Sequence, residues 1–172
     1  MGGSGGSGVT FVLGGARSGK SRHAEALIEA CPAPWVYVAT SQAYDDEMRA
    51  RIAEHRARRG EGWQTVDAPL ELPQAIAANR GRPLLVDCLT LWLTNLILAE
   101  HDTAAACESL LTASAGHGAP LVLVSNEVGL GIVPENALAR RFRDEAGRLH
   151  QRLAAQADRV LFMVAGLPMQ VK

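Results

Sequence analysis

Residues 14–21 read Gly14-Gly15-Ala16-Arg17-Ser18-Gly19-Lys20-Ser21, a match to the pattern G-x-x-x-x-G-K-[ST]. Just before it, Val9–Leu13 is a short apolar run of strand character. Just after it, residues 20–30 carry a helical period. The pattern needs this placement, because backbone N–H groups of the loop and the N-terminus of the following helix must wrap a phosphate. Glycine allows the backbone angles and the close approach. Lys20 is suited to the β- and γ-phosphates, and the Ser21 hydroxyl to Mg²⁺. At ordinary residue usage such a match arises by chance on the order of once per hundred chains of this length. The stretch predicts a nucleoside triphosphate site on a strand–loop–helix unit.

The basic residues sharpen that reading. Of 17 Lys and Arg, only Lys20 and Lys172 are lysines and 15 are arginines. A chain that otherwise avoids lysine keeps one inside the loop. At 172 residues and 48% apolar, the chain is long enough for one domain with a proper core. A formal net charge of −1 argues against a general nucleic-acid or anionic-membrane binder. No apolar run approaches the roughly 18 residues of a membrane span, so no membrane insertion is expected. Cys31, Cys88 and Cys107 are widely spaced and form no C-x-x-C pair. They fit reduced thiols in a cytoplasmic protein better than a disulfide framework or a zinc site. Met1–Gly8, MGGSGGSG, reads as a Gly/Ser-rich tag or linker, which leaves 9–172 as a single domain.

Short runs rich in Val and Leu recur at Val9–Leu13, Trp35–Ala39, Leu84–Cys88, Leu121–Ser125 and Val160–Ala165. Continuous apolar runs of this kind suit strands covered on both faces, as in a parallel sheet. Between them the period predicts helices over 20–30, 45–59, 70–79, 89–115 with a break near His101–Thr103, and 134–156. Pro134 suits the first turn of the last helix. Leu138, Phe142, Leu149 and Leu153 form its expected buried stripe. The alternation predicts a three-layer α/β domain of P-loop NTPase-like fold, with a mainly parallel sheet and right-handed crossovers.

A metal-binding carboxylate is expected at the C-terminal edge of another buried strand, where open α/β sheets place their ligands. Asp87 ends Leu84-Leu85-Val86-Asp87 and fits; Glu127, after Leu121–Ser125, is a second candidate. Either acid could instead cap the helix that follows. Among five histidines, His101 and His117 lie in polar connections and are expected in solvent. His23 is expected to pack beside the loop, and His150 flanks the stripe of the last helix. His55 follows Met48 and Ile52 at i+7 and i+3, so it shares the inward face of its helix. Arg49, Arg51, Arg56, Arg58 and Arg59 cluster around it, five of the 15 arginines within eleven residues. On pattern alone this is either a core-edge histidine on an arginine-rich helix or an imidazole among phosphate-binding arginines. A neutral imidazole nitrogen can attack phosphorus without a base and form a phosphoramidate.

Four stretches together resemble a known family: GGARSGKSRHAE (14–25), VYVATSQAYDDEMRARIAEHRARR (36–59), LLVDCLTLWLTNL (84–96) and SNEVGLGIVPENALARRFRDEAGRLHQRLA (125–154). The sequence is similar to the bifunctional adenosylcobinamide kinase / adenosylcobinamide-phosphate guanylyltransferases of cobalamin assembly, over nearly all of Val9–Lys172. The resemblance implies phosphorylation of adenosylcobinamide by ATP or GTP, then transfer of GMP from GTP to adenosylcobinamide phosphate with release of pyrophosphate. It implies that GMP is carried on a histidine, which the H-R-x-x-R pattern places at His55. It also implies nucleotide contacts at 14–21, at Thr40, Ser41 and Gln42, at Arg56, Ala57, Arg58 and Arg59, and at Asp67 and Asp87. Ser21 and Asp87 are the implied Mg²⁺ ligands, and a homotrimer the implied assembly.

Two other readings differ in chemistry. A single-activity P-loop kinase of a small metabolite would leave His55 structural and form no covalent GMP adduct. A GTP-driven switch would read guanine with N-K-x-D, whereas Asn126 here is followed by Glu127. Its D-x-x-G element would fall on Asp144–Gly147, inside a predicted helix.

Overall fold

The computed structural model describes residues 8–42 and 45–172, with the backbone alone of Arg51, His55 and Arg58. The strands are β1 (Val9–Gly14), β2 (Trp35–Ala39), β3 (Trp63–Asp67), β4 (Leu84–Asp87), β5 (Leu121–Asn126), β6 (Arg159–Val164) and β7 (Leu167–Gln170). They form one seven-stranded sheet in the order β3-β2-β4-β5-β1-β6-β7, and every pairing is parallel except β6–β7. The helices are α1 (Lys20–Glu29), α2 (Asp46–Arg58), α3 (Leu72–Ala78), α4 (Leu89–Leu98), α5 (Thr103–Ala115) and α6 (Ala137–Gln156).

Both faces of the sheet are covered, which explains why its central strands are apolar at successive positions. On one face Phe11, Val36, Leu84 and Leu121 pack with Leu72 of α3, Trp92 of α4, Leu110 of α5 and Leu149 of α6. On the other, Val12, Leu85, Val122 and Leu161 pack with Ala24 and Ile28 of α1. The result is the expected three-layer α/β architecture, and the loops after β1, β2, β4 and β5 meet at one edge.

The structure bears out one local expectation and corrects several others. Residues 89–115 divide at Ala99–Asp102, near the expected break, where the Asp102 carboxylate caps α5 by accepting from Ala105 N. The last helix starts at Ala137, capped by Asn136, so Pro134 lies before it; the Pro134 carbonyl accepts from Arg140. Leu138, in that exposed first turn, is 48% exposed and does not join the core. The buried stripe runs through Phe142, Ala146, Leu149 and Leu153 instead. Strand β3 was not expected: at the sheet edge its Gln64 and Thr65 face solvent, and they dilute the apolar signal. Strand β7 was also not expected. It returns from β6 through Ala165 and Gly166, at φ 51° and 81°, a tight turn that needs two left-handed residues. Pro168 is tolerated there because β7 is the other edge strand.

His117 is buried rather than solvated, with Nε2 bonded to the Arg82 carbonyl at 2.7 Å and Nδ1 without a partner. Since a carbonyl can only accept, Nε2 carries a proton. His150 is buried too, stacked 5.5 Å from Phe11 and bonded through Nε2 to Ser125 Oγ at 2.7 Å. Desolvation holds both rings below the ordinary histidine range. A folded-state pKa below the unfolded one means that the unfolded chain binds more protons as pH falls through about 6.5. The urea midpoint should therefore drop between pH 7.5 and 5.5, above the range where ordinary carboxylates titrate. An unchanged or rising midpoint would contradict the buried neutral rings.

Candidate nucleotide site

The loop after β1 is shaped by its own contacts before any ligand enters. Gly14 ends β1, where a Cβ would collide with the Ser18 hydroxyl. Arg17 and Gly19 take left-handed conformations at φ 53° and 88°. A Cβ on Gly19 would come within 3.1 Å of Gly166 Cα, and Gly166 N donates to the Ser18 carbonyl at 2.9 Å. The β6–β7 turn thus braces the loop from outside, a close approach that needs glycine at 19, while glycine at 166 suits the left-handed turn.

Lys20 opens α1 with its side chain folded back, Nζ donating to the Gly15 carbonyl at 2.9 Å. It is 9% exposed, and desolvation lowers its pKa while Asp87 partly offsets the shift. Asp87, at the end of β4, accepts from the Tyr37 hydroxyl at 3.1 Å on Oδ2. Burial, and after it the Asp87 carboxylate, push the Tyr37 phenol far above its ordinary range, so Tyr37 acts there as a fixed donor. The Arg59 guanidinium lies 3.5 Å from the centre of the Tyr37 ring, a cation–π contact.

Lys20, Ser21, Tyr37, Asp87, Arg59 and Asn126 line one cleft of about 220 Å³, with Met48, Ile52 and Arg56 of α2 on its far wall. It borders a second hollow of about 430 Å³ through Ser41, Ile52 and Arg56, where Arg49 and Asp67 are exposed to a ligand. Arg56 spans the two walls, its Nη2 donating to both Asp67 oxygens at 2.8 and 3.0 Å. Two buried polar atoms in this region lack partners among the described residues: Ser18 Oγ in the loop and Arg59 Nη1 on the cleft wall. An orphaned guanidinium donor and an orphaned loop hydroxyl are what an oxyanion would satisfy.

The structure thus brings together Lys20, Ser21, Ser41, Arg56, Arg59 and Asp87 from the sequence reading, with Asp67 next door. Four other residues of that reading do not line either hollow. Thr40 is fully buried; its hydroxyl donates to the Cys88 carbonyl and accepts from Cys88 N, clamping the ends of β2 and β4. Ala57 sits on the exposed side of α2. Arg17 is exposed in the loop. Gln42 is half-buried just beyond Ser41. Glu127 does not line the cleft: its carboxylate accepts from Gly129 N within its own loop. The side chains of His55 and Arg58 lie outside the described residues; the backbone places position 55 one turn past Ile52 on α2.

Tyr37, Asn126, Cys88 and Leu91 line the cleft without having been singled out from the sequence. Tyr37 and Asn126 belong to recognisable strands, but nothing in a strand's apolar pattern tells which polar side chain at its end faces the loop.

Mg²⁺ fits the donors that converge here. The Ser21 hydroxyl and the Asp87 carboxylate are hard oxygen ligands on one cleft, and Asp87 Oδ1 takes no hydrogen bond from the described residues. Mg²⁺ favours such sites, with one or two protein oxygens completed by phosphate and water.

A strand–loop–helix phosphate cradle at the C-terminal edge of a parallel sheet, faced by a carboxylate and arginines, defines a nucleotide-dependent P-loop protein. Residues 10–171 match the family described as cobinamide kinase / cobinamide phosphate guanyltransferase, and the chain belongs to that family. It is 52% identical over 166 residues to the bifunctional adenosylcobalamin biosynthesis protein CobP of Pseudomonas aeruginosa, covering 94% of this chain and 96% of that one. It is 46% identical over 181 residues to the Escherichia coli protein CobU of the same description, covering 95% and 99%. The Salmonella typhimurium CobU is 47% identical over 181 residues, with the same coverage. Among solved structures, the RadB recombinase superposes with a TM-score of 0.48 at 16% identity, over 94% of this chain and 76% of that one.

Proposed function

We propose that this chain is a bifunctional transferase of cobalamin assembly. It phosphorylates adenosylcobinamide from ATP or GTP, then transfers GMP from GTP to adenosylcobinamide phosphate. The observation that carries the reading is the cleft itself: one phosphate loop faced by the arginine-bearing helix that also carries position 55.

In the first reaction a hydroxyl oxygen of the acceptor attacks the γ-phosphorus. The bond from that phosphorus to the β,γ-bridging oxygen breaks, and the hydroxyl proton is released. In the second, a neutral nitrogen of His55 attacks the α-phosphorus and pyrophosphate leaves. An oxygen of adenosylcobinamide phosphate then displaces the histidine from GMP. Both reactions develop charge on the β,γ-phosphates, where Lys20 and Arg59 stand ready. Ser21 and Asp87 would hold Mg²⁺, which when bound neutralises phosphate charge. Tyr37 fixes the Asp87 carboxylate by donating to Oδ2. Arg56 and Asp67, paired beside the cleft, are set to meet the nucleoside.

Residues 9–172 act in this reading as one catalytic domain, with Met1–Gly8 taking no part. A homotrimer is the assembly it favours; the exposed Val164, Leu167, Met169 and Val171 on the β6–β7 hairpin support a subunit contact. A cytoplasmic location suits both substrates, and no helix among the described residues is long and apolar enough to cross a membrane.

The test uses GTP labelled at the α-phosphate. The chain should acquire an acid-labile, alkali-stable label and pass it to adenosylcobinamide phosphate. Phosphorylation of adenosylcobinamide without any such label would instead identify a plain metabolite kinase.

A further inference from the structure

Asn126 ends β5, the strand that lies between the phosphate-loop strand β1 and the Asp87 strand β4. In register it stands opposite Gly14, and Glu127 N donates to the Gly14 carbonyl at 3.0 Å, so it sits at the Gly14–Gly15 end of the loop. That is the end where Lys20 Nζ is anchored, on the Gly15 carbonyl. The lysine of such a loop serves the β- and γ-phosphates, so Asn126 flanks the terminal phosphate rather than the nucleoside.

Its amide is held in one orientation. Nδ2 lies 2.7 Å from the buried Thr90 Oγ1, and Asn126 N, which can only donate, is 3.4 Å from the same oxygen. Nδ2 also lies 3.8 Å from the Cys88 sulfur, which stands 3.2 Å from the Thr90 oxygen; with the Thr90 proton directed to that sulfur, the Thr90 oxygen is the acceptor on this side. With the nitrogen committed to Thr90, the other end of the amide is Oδ1, a hydrogen-bond acceptor with no described partner, on a residue that lines the cleft. Nothing in the nucleotide requires an acceptor there: phosphate oxygens accept and do not donate. A hydroxyl approaching the γ-phosphorus does have a proton to offer.

We propose that Asn126 Oδ1 receives the hydrogen bond of the acceptor's attacking hydroxyl in the phosphorylation step, with Thr90 as its positioning residue. Orienting that oxygen is a role specific to one of the two reactions, since GMP transfer delivers an already ionised phosphate oxygen to the α-phosphorus. The inference rests on the functional reading above.

The test compares Asn126→Ala and Asn126→Asp with the wild type in separate assays of phosphorylation and GMP transfer. Adenosylcobinamide is the acceptor in the first and chemically prepared adenosylcobinamide phosphate in the second. Asn126→Ala should lower kcat for phosphorylation about 100-fold, the scale of a lost orienting contact. KM for ATP should stay unchanged, and GMP transfer should remain within about 3-fold, which also certifies an intact fold. Asn126→Asp keeps an acceptor oxygen but loses the donor to Thr90 and adds charge beside the phosphates, so it should recover only part of the loss. Unimpaired phosphorylation in Asn126→Ala, or an equal loss of both reactions, would overturn the assignment. A wild-type chain unable to phosphorylate adenosylcobinamide would overturn the functional reading itself and this inference with it.

Discussion

Lys20→Ala should lower kcat about 10³-fold in both reactions, the upper range for removing one preorganised donor from developing oxyanion charge. The same loop holds the β,γ-phosphates whether attack comes at the γ- or the α-phosphorus, so one side chain serves both transition states. The unliganded protein should not lose stability with it. Lys20 is nearly buried, and desolvation lowers its pKa, which means that the empty fold carries the ammonium at a cost. An unchanged or higher Tm beside a collapsed kcat would separate a residue kept for ligand charge from one kept for packing. Lys20→Arg should restore little. The ammonium lies against the Gly15 carbonyl inside a loop closed by the Ser18–Gly166 contact, and a planar guanidinium with five donors has no matching space there. Near-wild-type activity in Lys20→Arg would show that charge alone matters at this position. The two rates are read separately, as phosphorylated acceptor formed and as pyrophosphate released.

That single lysine also shows how much was legible before folding. The loop, the apolar central strands and Asp87 at a strand end each announce themselves in a few consecutive residues, because their constraints are local. Glycines must sit where backbone meets phosphate, and strands covered on both faces must be apolar throughout. What stayed hidden were features set by distant partners. His117 lies among polar neighbours in sequence, yet the carbonyl of Arg82, 35 residues earlier, buries it. Thr40 stands in the right segment to meet a nucleotide, but its hydroxyl is consumed by the Cys88 backbone, 48 residues on. Tyr37 and Asn126 show the converse case. Their roles depend on β2 flanking β4 and on β5 lying between β1 and β4, a strand order that no periodicity encodes. The edge strands β3 and β7 escaped for a related reason: half-solvated or hairpin-paired, they carry no continuous apolar run.

His55→Ala should abolish covalent labelling by α-labelled GTP and lower GMP transfer by about 10⁴-fold or more, the scale on which a removed nucleophile acts. Phosphorylation of adenosylcobinamide should stay within a few-fold of wild type. The asymmetry follows from where each reaction breaks its bond. In the proposed mechanism, attack at the γ-phosphorus needs only the acceptor hydroxyl, the loop, and Ser21 and Asp87, the proposed metal-binding pair. In that mechanism, transfer of the α-phosphoryl group, with pyrophosphate leaving, is divided by His55 into two displacements. Position 55 is set for this by its helix: Met48 and Ile52, on the same face of α2 at i−7 and i−3, both line the cleft with Lys20 and Asp87. The neighbouring Arg56 and Arg59 line it too, so the helix that carries position 55 also brings cations that attract the triphosphate. His55→Gln, close in length but without a nucleophilic nitrogen, should behave like the alanine variant. GMP transfer at the wild-type rate in either variant would mean that the acceptor phosphate attacks GTP directly. Both chemical steps would then belong to the phosphate loop alone, and the arginine-rich helix would serve only to bind.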